Sequence, residues 1–315
     1  MHATNNRARN RRHECVVDWF HVLIGFMRFV ALLPLSWVRA LGHAVGWLLW
    51  TVVPNRRRIV QTNLRLCFPN KTELQIKAMA RAHFVQFAQS LLDRAWLWHA
   101  PLVKVSTRLK WVGSDKAMAQ LAQAGPKIVF APHFVGLDAG GLALTLKASK
   151  PVAFIFVPQH NKVMDAWVNK GRQRTGMVKP YFRHEGVKQI MSGLRQGEIL
   201  HLSPDMDFGP EESVFVNFMG VTAATVPSLS RFARLGRAPV MSLVTRMTPQ
   251  GYEMEVSEMW QDFPSADVQA DTQRMNDELA SAIDRSPDQY YWVHKRFKTR
   301  PKGETSVYKN AAISR

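Results

Sequence analysis

The segment most informative about the fold is Lys127-Ile-Val-Phe-Ala-Pro-His133-Phe-Val-Gly-Leu-Asp138-Ala-Gly-Gly141. Its apolar start is typical of a buried strand, and a histidine follows directly after that strand. Asp138 comes five residues later, in what the pattern indicates is the first turn of a helix. A histidine at the carboxyl end of a strand, held by an acid, has the arrangement that a general base needs. The segment therefore predicts His133 as a catalytic base in an α/β fold.

The spacing between His133 and Asp138 is weak evidence by itself, because the chain contains two more His-x4-acid pairs. His13 and Asp18 lie in a basic amino-terminal stretch, where the spacing is a coincidence. His160 and Asp165 are a real competitor, since they also follow an apolar run. The surroundings of His133 favour it, because glycines there leave room for close approach of a backbone or a substrate: Gly136, Gly140 and Gly141. A histidine that only forms a hydrogen bond at a strand end is the remaining alternative at this point.

The apolar runs on either side of this segment predict alternating strands and helices. Strands are expected at Ile128–Ala131, Val152–Val157, Glu198–Leu202, Pro239–Thr245 and Tyr252–Val256. Helices are expected at Glu73–Trp98, Gly136–Lys147, Lys162–Thr175, Gly186–Arg195, Pro227–Leu235 and Asp267–Arg285. This order predicts an α/β fold with a mostly parallel central sheet flanked by helices.

The composition limits the possible partners and classes. The chain has 315 residues, 46% of them apolar, and a formal net charge of +18, which favours anionic partners. No recognised nucleic-acid-binding module gathers these charges, and ten tryptophans favour a membrane surface instead. Two cysteines, Cys15 and Cys67, form neither a disulfide framework nor a metal motif, and no phosphate-binding or dinucleotide-binding loop is present. We expect no metal and no resident cofactor.

The amino-terminal third suggests a membrane-associated segment joined to a larger domain. We expect a disordered basic tail at 1–15, membrane anchor helices at 16–53, the catalytic α/β domain at 54–297 and a loose polar tail at 298–315. Charged residues and Pro34 interrupt the two apolar stretches, so neither is a clean membrane span. An in-plane or hairpin anchor, a single span, and two buried helices of a soluble domain all remain open.

Two further groups of residues follow predicted strands and could meet His133. In open α/β sheets, active sites gather at the carboxyl ends of the strands. Asp205 lies in Ser203-Pro-Asp205-Met-Asp207-Phe-Gly209 after one strand, and Arg172 and Arg174 lie late in the helix after another. A surface arginine or a turn-capping aspartate would explain each residue equally well at this point.

Several ordered blocks resemble the late acyltransferases of lipid A biosynthesis, the lauroyl/myristoyl-type enzymes of the lysophospholipid acyltransferase superfamily. The resemblance runs from about Arg56 to Trp292. Its blocks are Arg56-Arg-Arg-Ile-Val-Gln-Thr-Asn63-Leu, Cys67-Phe-Pro69, the His133-x4-Asp138 block, Gly171-Arg172-x-Arg174, Gly197-Glu198, Pro204-Asp205-Met-Asp207-Phe-Gly209, Ser213-Val-Phe-Val216, Phe218 and Ala223-Ala-Thr225. These blocks favour His133 over His160 as the base.

The resemblance implies an O-acyltransferase of the cell inner membrane whose catalytic domain lies on the cytoplasmic face. It would transfer a fatty acyl chain from acyl carrier protein to a hydroxyl of a lipid A precursor of the Kdo-lipid IVA type. The partners implied are acyl carrier protein, an anionic lipid A precursor and the inner membrane, with no nucleic acid. His133 and Asp138 would form the catalytic dyad, and Arg172 and Asp205 would also be functionally important.

The chemistry of these residues fits a direct transfer. His133 would remove the hydroxyl proton as the oxygen attacks the thioester, with Asp138 fixing the imidazole tautomer. Arg172 or backbone amides near Gly136 could stabilise the oxyanion, and no acyl-enzyme is needed. Two alternatives remain: an acyltransferase for another glycolipid or a lysophospholipid, and a non-catalytic membrane lipid-binding protein on the same scaffold.

Overall fold

The computed structural model describes residues 19–182 and 187–308. Its helices are α1 (19–30), α2 (Leu35–Val52), α3 (Pro54–Cys67), α4 (Glu73–His99), α5 (Leu102–Ser106), α6 (Asp115–Ala122), α7 (Leu137–Lys147), α8 (Lys162–Arg172), α9 (Val187–Arg195), α10 (Ser228–Gly236) and α11 (Val268–Arg285). Its strands are β1 (Leu109–Val112), β2 (Lys127–Phe130), β3 (Val152–Phe156), β4 (Val178–Phe182), β5 (Ile199–Leu202), β6 (Val214–Phe218), β7 (Val221–Thr225), β8 (Val240–Thr248) and β9 (Gly251–Val256).

Seven of the described strands form one sheet in the order β1-β9-β8-β2-β5-β3-β4. In this sheet β8 and β9 run antiparallel, and the other neighbouring pairs are parallel. The central strands β2 and β5 are buried along their whole length, as expected for a parallel sheet covered on both faces. The prediction of a mostly parallel sheet flanked by helices is confirmed.

Alternate side chains of the central strands enter two separate apolar clusters. Ile128 and Phe130 join one cluster, together with residues of α3, α9, α10 and α11. Val129 joins the other, together with residues of α1, α2, α6, α7 and α8. The 27-residue helix α4 contributes to both clusters, so it links the two sides of the sheet. It begins at a capping box between Thr72 and Gln75.

Helix α2 packs closely on α4. A Cβ atom added at Gly46 would lie 2.5 Å from Cα of Val85, so the two helix backbones approach each other directly. Arg39 of α2 also forms a 3.0 Å ion pair with the buried Asp93 of α4. The second half of the predicted anchor segment therefore contacts the body of the molecule. Within residues 19–182 and 187–308, no helix has both the length and the apolar character needed to cross a membrane.

The two ends of the chain lie partly outside the described residues. The predicted basic tail at 1–15 and the last seven residues of the predicted polar tail are not described. The described part of the latter tail differs from the expectation of a loose segment. The Tyr308 hydroxyl donates to Asn63 Oδ1 at 2.5 Å and accepts from the Phe297 backbone N–H at 3.1 Å. These bonds hold Tyr308 against α3, where Asn63 is fully buried.

Candidate active site

The loops after β2 and β5 lie side by side, because these strands are paired with Phe130 opposite Leu202. The loop after β2 continues to His133, and the loop after β5 continues to Asp205. Since parallel strands end at the same edge of a sheet, the two side chains meet there. Sequence reasoning had predicted that they could converge on one cleft, and the structure brings them into contact.

Asp205 holds His133 with both carboxylate oxygens. The imidazole Nδ1 lies 2.7 Å from Oδ1, and the backbone N–H of His133 donates to Oδ2 at 3.0 Å. A carboxylate is an acceptor, so the ring hydrogen sits on Nδ1 and leaves Nε2 with a free lone pair. The Asp205 side chain is fully buried, whereas the His133 side chain is 24% exposed to solvent. The ring is therefore oriented at one nitrogen and reachable from solvent.

The charge of Asp205 is maintained by its partner. Burial raises the pKa of the Asp205 carboxyl, but the attraction of His133 and hydrogen bonds to its ring and backbone outweigh it. The net result is a pKa below the usual value for aspartate. Asp205 is thus an anion that can stabilise a proton arriving on the imidazole.

Asp138, the acid expected to hold His133, has other partners. In the first turn of α7, its Oδ2 accepts from Arg94 Nε at 2.8 Å and its Oδ1 accepts from Arg172 Nε at 2.9 Å. The predicted pairing of His133 with Asp138 is therefore corrected, because Asp205 takes the position beside Nδ1. The physical reason is that two partly buried arginines require a counter-charge at Asp138. Burial raises the pKa of Asp138, yet the two arginines outweigh it and hold this pKa well below the usual range.

The arginines of the Gly171-Arg172-x-Arg174 block have different positions. Arg172 lies over the ring of Phe156, with 5.4 Å between guanidinium carbon and ring centroid, and it lines the same cavity as His133. Arg174 donates instead to the backbone carbonyls of Leu97 and Ala100 at the end of α4. Arg174 thus secures α8 to α4 and does not join the cavity.

Glycines near the base serve packing more than substrate access. A Cβ atom at Gly136 would lie 2.6 Å from the carbonyl oxygen of Thr245, and one at Gly140 would lie 2.1 Å from its hydroxyl. These two residues allow α7 to approach β8. Gly141 alone of the three lines the cavity, so the space predicted around Gly136 is occupied by the neighbouring strand.

A cavity of about 750 Å³ opens beside His133, within the size range of small-molecule sites. Most of its lining is apolar, and His133, Asp138 and Arg172 lie together at its polar part. It is formed by residues of the strand ends and of helices on both faces, including Trp98, Leu142, Phe154, Ile190, Leu202 and Phe232. Four large apolar side chains of the lining are exposed: Val157, Val187, Phe208 and Leu235. This shape suits a long apolar chain that ends near an imidazole.

Three further residues support the site, and sequence reasoning assigned them no role. Apart from histidines, Arg94 and the adjacent Asp93 are the charged residues between positions 82 and 99 of α4, which was a usable signal. His201 lines the cavity from β5, and burial, followed by repulsion from Arg172, lowers its pKa to about 3. Asn63 belongs to a quoted block, but nothing in the sequence indicated its partners.

Asn63 holds a carboxyl-terminal segment behind the base. Its side-chain amide donates to the carbonyls of Trp292 and His294, each at 2.8 Å. The adjacent Tyr291 donates its backbone N–H to the His133 carbonyl at 2.8 Å. The loop that carries His133 is therefore fixed from a segment more than 150 residues later in the chain.

The competing pair, His160 and Asp165, does not form such a site. The Asp165 carboxylate accepts from the Gln159 backbone at 2.8 Å and from the Asn169 side chain at 3.0 Å. Asp165 thus stabilises the start of α8. Neither His160 nor Asp165 lines the cavity beside His133.

Comparison with known proteins identifies the family. A family model described as bacterial lipid A biosynthesis acyltransferase matches residues 6–299. The chain is 30% identical over 283 residues to a lipid A biosynthesis acyltransferase of Haemophilus influenzae, covering 89% of this chain and 88% of that protein. It is 29% identical over 288 residues to the lipid A biosynthesis lauroyltransferase of Escherichia coli, covering 90% and 93% of the two chains. The palmitoleoyltransferase of the same organism is 28% identical over 295 residues, covering 93% and 94%. The resemblance inferred from the sequence is confirmed, and the chain belongs to the bacterial lipid A biosynthesis acyltransferase family.

Proposed function

We propose that this acyltransferase moves a fatty acyl chain from an acyl carrier protein thioester to a hydroxyl of a Kdo-lipid IVA-type precursor. The observation that carries the proposal is the imidazole of His133, which Asp205 orients and which lines a mostly apolar cavity of about 750 Å³. Membership in the family supports acyl transfer to lipid A. The donor and the acceptor are those that the family resemblance and the positive charge suggest, and the mechanism is inferred from the chemistry of the site.

In the proposed mechanism His133 acts as base and then as acid. Its Nε2 removes the proton of the acceptor hydroxyl while the oxygen attacks the thioester carbonyl carbon. The new carbon–oxygen bond produces a tetrahedral oxyanion, and the imidazolium is stabilised by Asp205. Collapse breaks the carbon–sulfur bond, and the thiolate leaves with the proton from His133. The products are an ester and a free thiol, with no acyl-enzyme.

Arg172 is the best-placed group to stabilise the oxyanion. Its Nε is engaged by Asp138, but its guanidinium has further N–H donors and lines the cavity. Gly136 does not line the cavity, which disfavours the amides there as donors. In this proposal Asp138 has a supporting role, because it holds Arg172 near the reacting carbonyl and compensates its charge.

The donor can be tested with purified protein. We expect a higher kcat/KM with acyl carrier protein thioesters than with the coenzyme A thioester of the same acyl chain. The excess of 18 positive charges would steer an acidic carrier, and the preference should decline between 0.1 and 1 M salt as screening increases. Equal use of both donors at low salt would contradict carrier docking. More efficient acyl transfer to a lysophospholipid than to the lipid A precursor would contradict the proposed acceptor.

Membrane association is part of the proposal. The exposed apolar side chains of α1 and α2 would lie in the membrane interface, on the cytoplasmic face of the inner membrane. They include Trp19, Val22, Phe26, Phe29, Trp37 and Leu48. We expect Phe26→Ser with Phe29→Ser to reduce flotation with liposomes, whereas Leu74→Ser, at a more exposed apolar residue of α4, should not. Equal flotation of both variants would place the membrane surface elsewhere.

A further inference from the structure

A second cavity, of about 340 Å³, lies between the end of α1, the end of α4 and the start of α5. Its lining contains basic groups and no carboxylate: Arg28, Ala31, Leu32, His99, Ala100, Pro101 and Lys104. We call it the basic cavity. It is separate from the cavity beside His133, although Trp98 lines that cavity and the next residue, His99, lines this one.

The charge around the basic cavity is positive. Burial lowers the pKa of His99, and repulsion from Arg28, Arg174 and Lys170 lowers it further. Thus two cations beyond the lining, on α8 and just after it, also act on this ring. Arg174 gives its hydrogen bonds to backbone carbonyls, which neutralise none of its charge. The electrostatic potential of such a group of cations favours an anion.

The tautomer of His99 also suits an anionic ligand. The indole Nε1 of Trp167 lies 3.0 Å from His99 Nε2, and an indole nitrogen can only donate. His99 Nε2 is therefore the acceptor, and the ring hydrogen sits on Nδ1. Because its pKa is lowered, the imidazole stays neutral at physiological pH and offers Nδ1–H as a hydrogen-bond donor.

The neighbouring surface identifies the kind of molecule that carries the anion. Leu32, just after α1, lines the basic cavity and is 76% exposed, and Phe29, in the last turn of α1, is 59% exposed. Arg and Lys beside exposed apolar side chains are typical of surfaces that bind the phosphate of an amphiphile. We propose that the basic cavity binds a phosphate group of a lipid through Arg28, Lys104 and His99.

Two lipids could supply this phosphate: the glycolipid acceptor, or a phospholipid of the surrounding bilayer. The first source rests on the proposed function, because it requires a phosphorylated acceptor whose hydroxyl reaches His133. The second source does not. Helix α4 borders both cavities, because Trp98 lines the one beside His133 and His99 lines the basic cavity.

The test compares two double variants with the same loss of charge. Arg28→Gln with Lys104→Gln removes two groups of the basic cavity. Lys71→Gln with Lys77→Gln removes two exposed charges near the other end of α4. Lys77 is 22 residues from His99 on this helix, or roughly 33 Å at 1.5 Å per residue. Circular dichroism and thermal melting establish that both variants fold.

Binding is measured with vesicles of phosphatidylcholine containing phosphatidylglycerol, using protein that also carries His133→Ala so that no transfer occurs. We expect the basic-cavity variant to bind about 30-fold more weakly, since each basic residue near an anionic surface contributes roughly fivefold. The Lys71 and Lys77 variant should bind within about threefold of the parent. In a second arm, the KM for the phosphorylated acceptor is measured in nonionic detergent without phospholipid, with His133 intact.

The outcomes separate the two sources. If the basic-cavity variant alone binds vesicles more weakly, and its KM in detergent is unchanged, the basic cavity is assigned to a phospholipid headgroup. A selective rise in KM in detergent, abolished when the acceptor is dephosphorylated, assigns it to the acceptor. Equal effects of the two double variants in both arms would overturn the phosphate site, whatever the turnover. Selective binding without any acyl transfer by the parent enzyme would overturn the proposed function and leave the phosphate site standing.

Discussion

Two carboxylates beside the same cavity have opposite kinds of partner. Asp205, 72 residues after His133, binds the imidazole and the backbone N–H of that residue. Asp138, only five residues after it, binds Arg94 and Arg172. Both are buried and both have a lowered pKa, so their charge alone does not distinguish them. Their partners distinguish them, because Asp205 contacts an imidazole that can gain or lose a proton, whereas Asp138 contacts two permanently charged arginines.

The difference shows how sheet register and helix geometry divide the roles. Pairing of β2 with β5 sets the two loop residues side by side, whatever their distance in sequence. Asp138 lies in the first turn of α7, from which it reaches the arginines of α4 and α8. A sequence separation of five residues is therefore compatible with a shared cavity and with no direct contact to the imidazole.

The largest effect should come from His133, the partner of Asp205. We expect His133→Ala to lower kcat/KM by about 10⁴-fold, at the upper end of what a general base contributes, with an unchanged melting temperature. The measurement is steady-state transfer by purified protein. His160→Ala is the control and should retain most of the activity. If His160→Ala were the more damaging change, the assignment of the base would fail.

Replacing each acid by its amide directly tests the comparison. We expect Asp205→Asn to reduce kcat by roughly 10³-fold, because an amide can accept at Nδ1–H but cannot stabilise an imidazolium. Asp138→Asn should reduce turnover less but destabilise folding by about 3 kcal/mol, since it leaves two arginines without their anion. Turnover and urea unfolding of both variants give the answer. A folded Asp138→Asn enzyme that is slower than Asp205→Asn would restore Asp138 as the partner of the base.

Substitutions of the two arginines that form ion pairs with Asp138 should differ in their effect on catalysis. We expect Arg172→Gln to lower kcat by about 10²-fold, because it removes a donor to the oxyanion. Arg94→Gln should alter kcat only a few-fold, since Arg94 does not line the cavity, although both changes remove one ion pair to Asp138. Single-turnover rates with saturating donor measure the difference. Equal losses would mean that neutralising Asp138, and not contact with the substrate, is what matters.

Acid should weaken folding through histidines whose pKa is lowered by burial, and two of them, His201 and His294, lie near the two carboxylates. Burial lowers the pKa of His201, near Asp138, to about 3 and that of His294, near Asp205, to about 4, from an ordinary 6.5. The unfolded chain therefore binds more protons below pH 6.5, so stability is complete above this pH and declines as the pH falls. The slope should approach 1.4 kcal/mol per pH unit for each group. Urea unfolding of His201→Gln and His294→Gln between pH 7 and 5 should show a smaller slope than the parent protein. An unchanged slope in either variant would remove that histidine from the explanation.

Much of the α/β body could be predicted from sequence because its signals are local. The buried runs at β2, β3 and β5 and the capped helix α4 were placed within two residues of their observed ends. Strands with weaker signals were missed. Strand β4 contains Pro180, which is tolerated near a sheet edge but argues against a strand in sequence. The β6–β7 hairpin closes through Met219 and Gly220, a two-residue turn that was a usable signal.

The site could be predicted only as a set of residues. His133, Asp138, Arg172 and Asp205 do lie together, but their pairing depends on the register of β2 with β5 and on the packing of α4 against α7. Neither register nor helix packing is encoded within a short segment. The sequence pattern predicted a helix through Thr175, but α8 ends at Arg172, so the position of Arg174 depends on the path of the chain after the helix.

The bond from Tyr291 to His133 has a consequence for how the enzyme comes into being. The ribosome makes the base and its acid first, and the segment that supports the base emerges some 85 residues after Asp205. During that interval the nascent chain holds His133 and Asp205 without the backbone bond from Tyr291 and without the anchor to Asn63. The support that Tyr291 gives to the His133 loop is therefore completed only after residue 291 has been made, so it depends on contacts between distant parts of the chain.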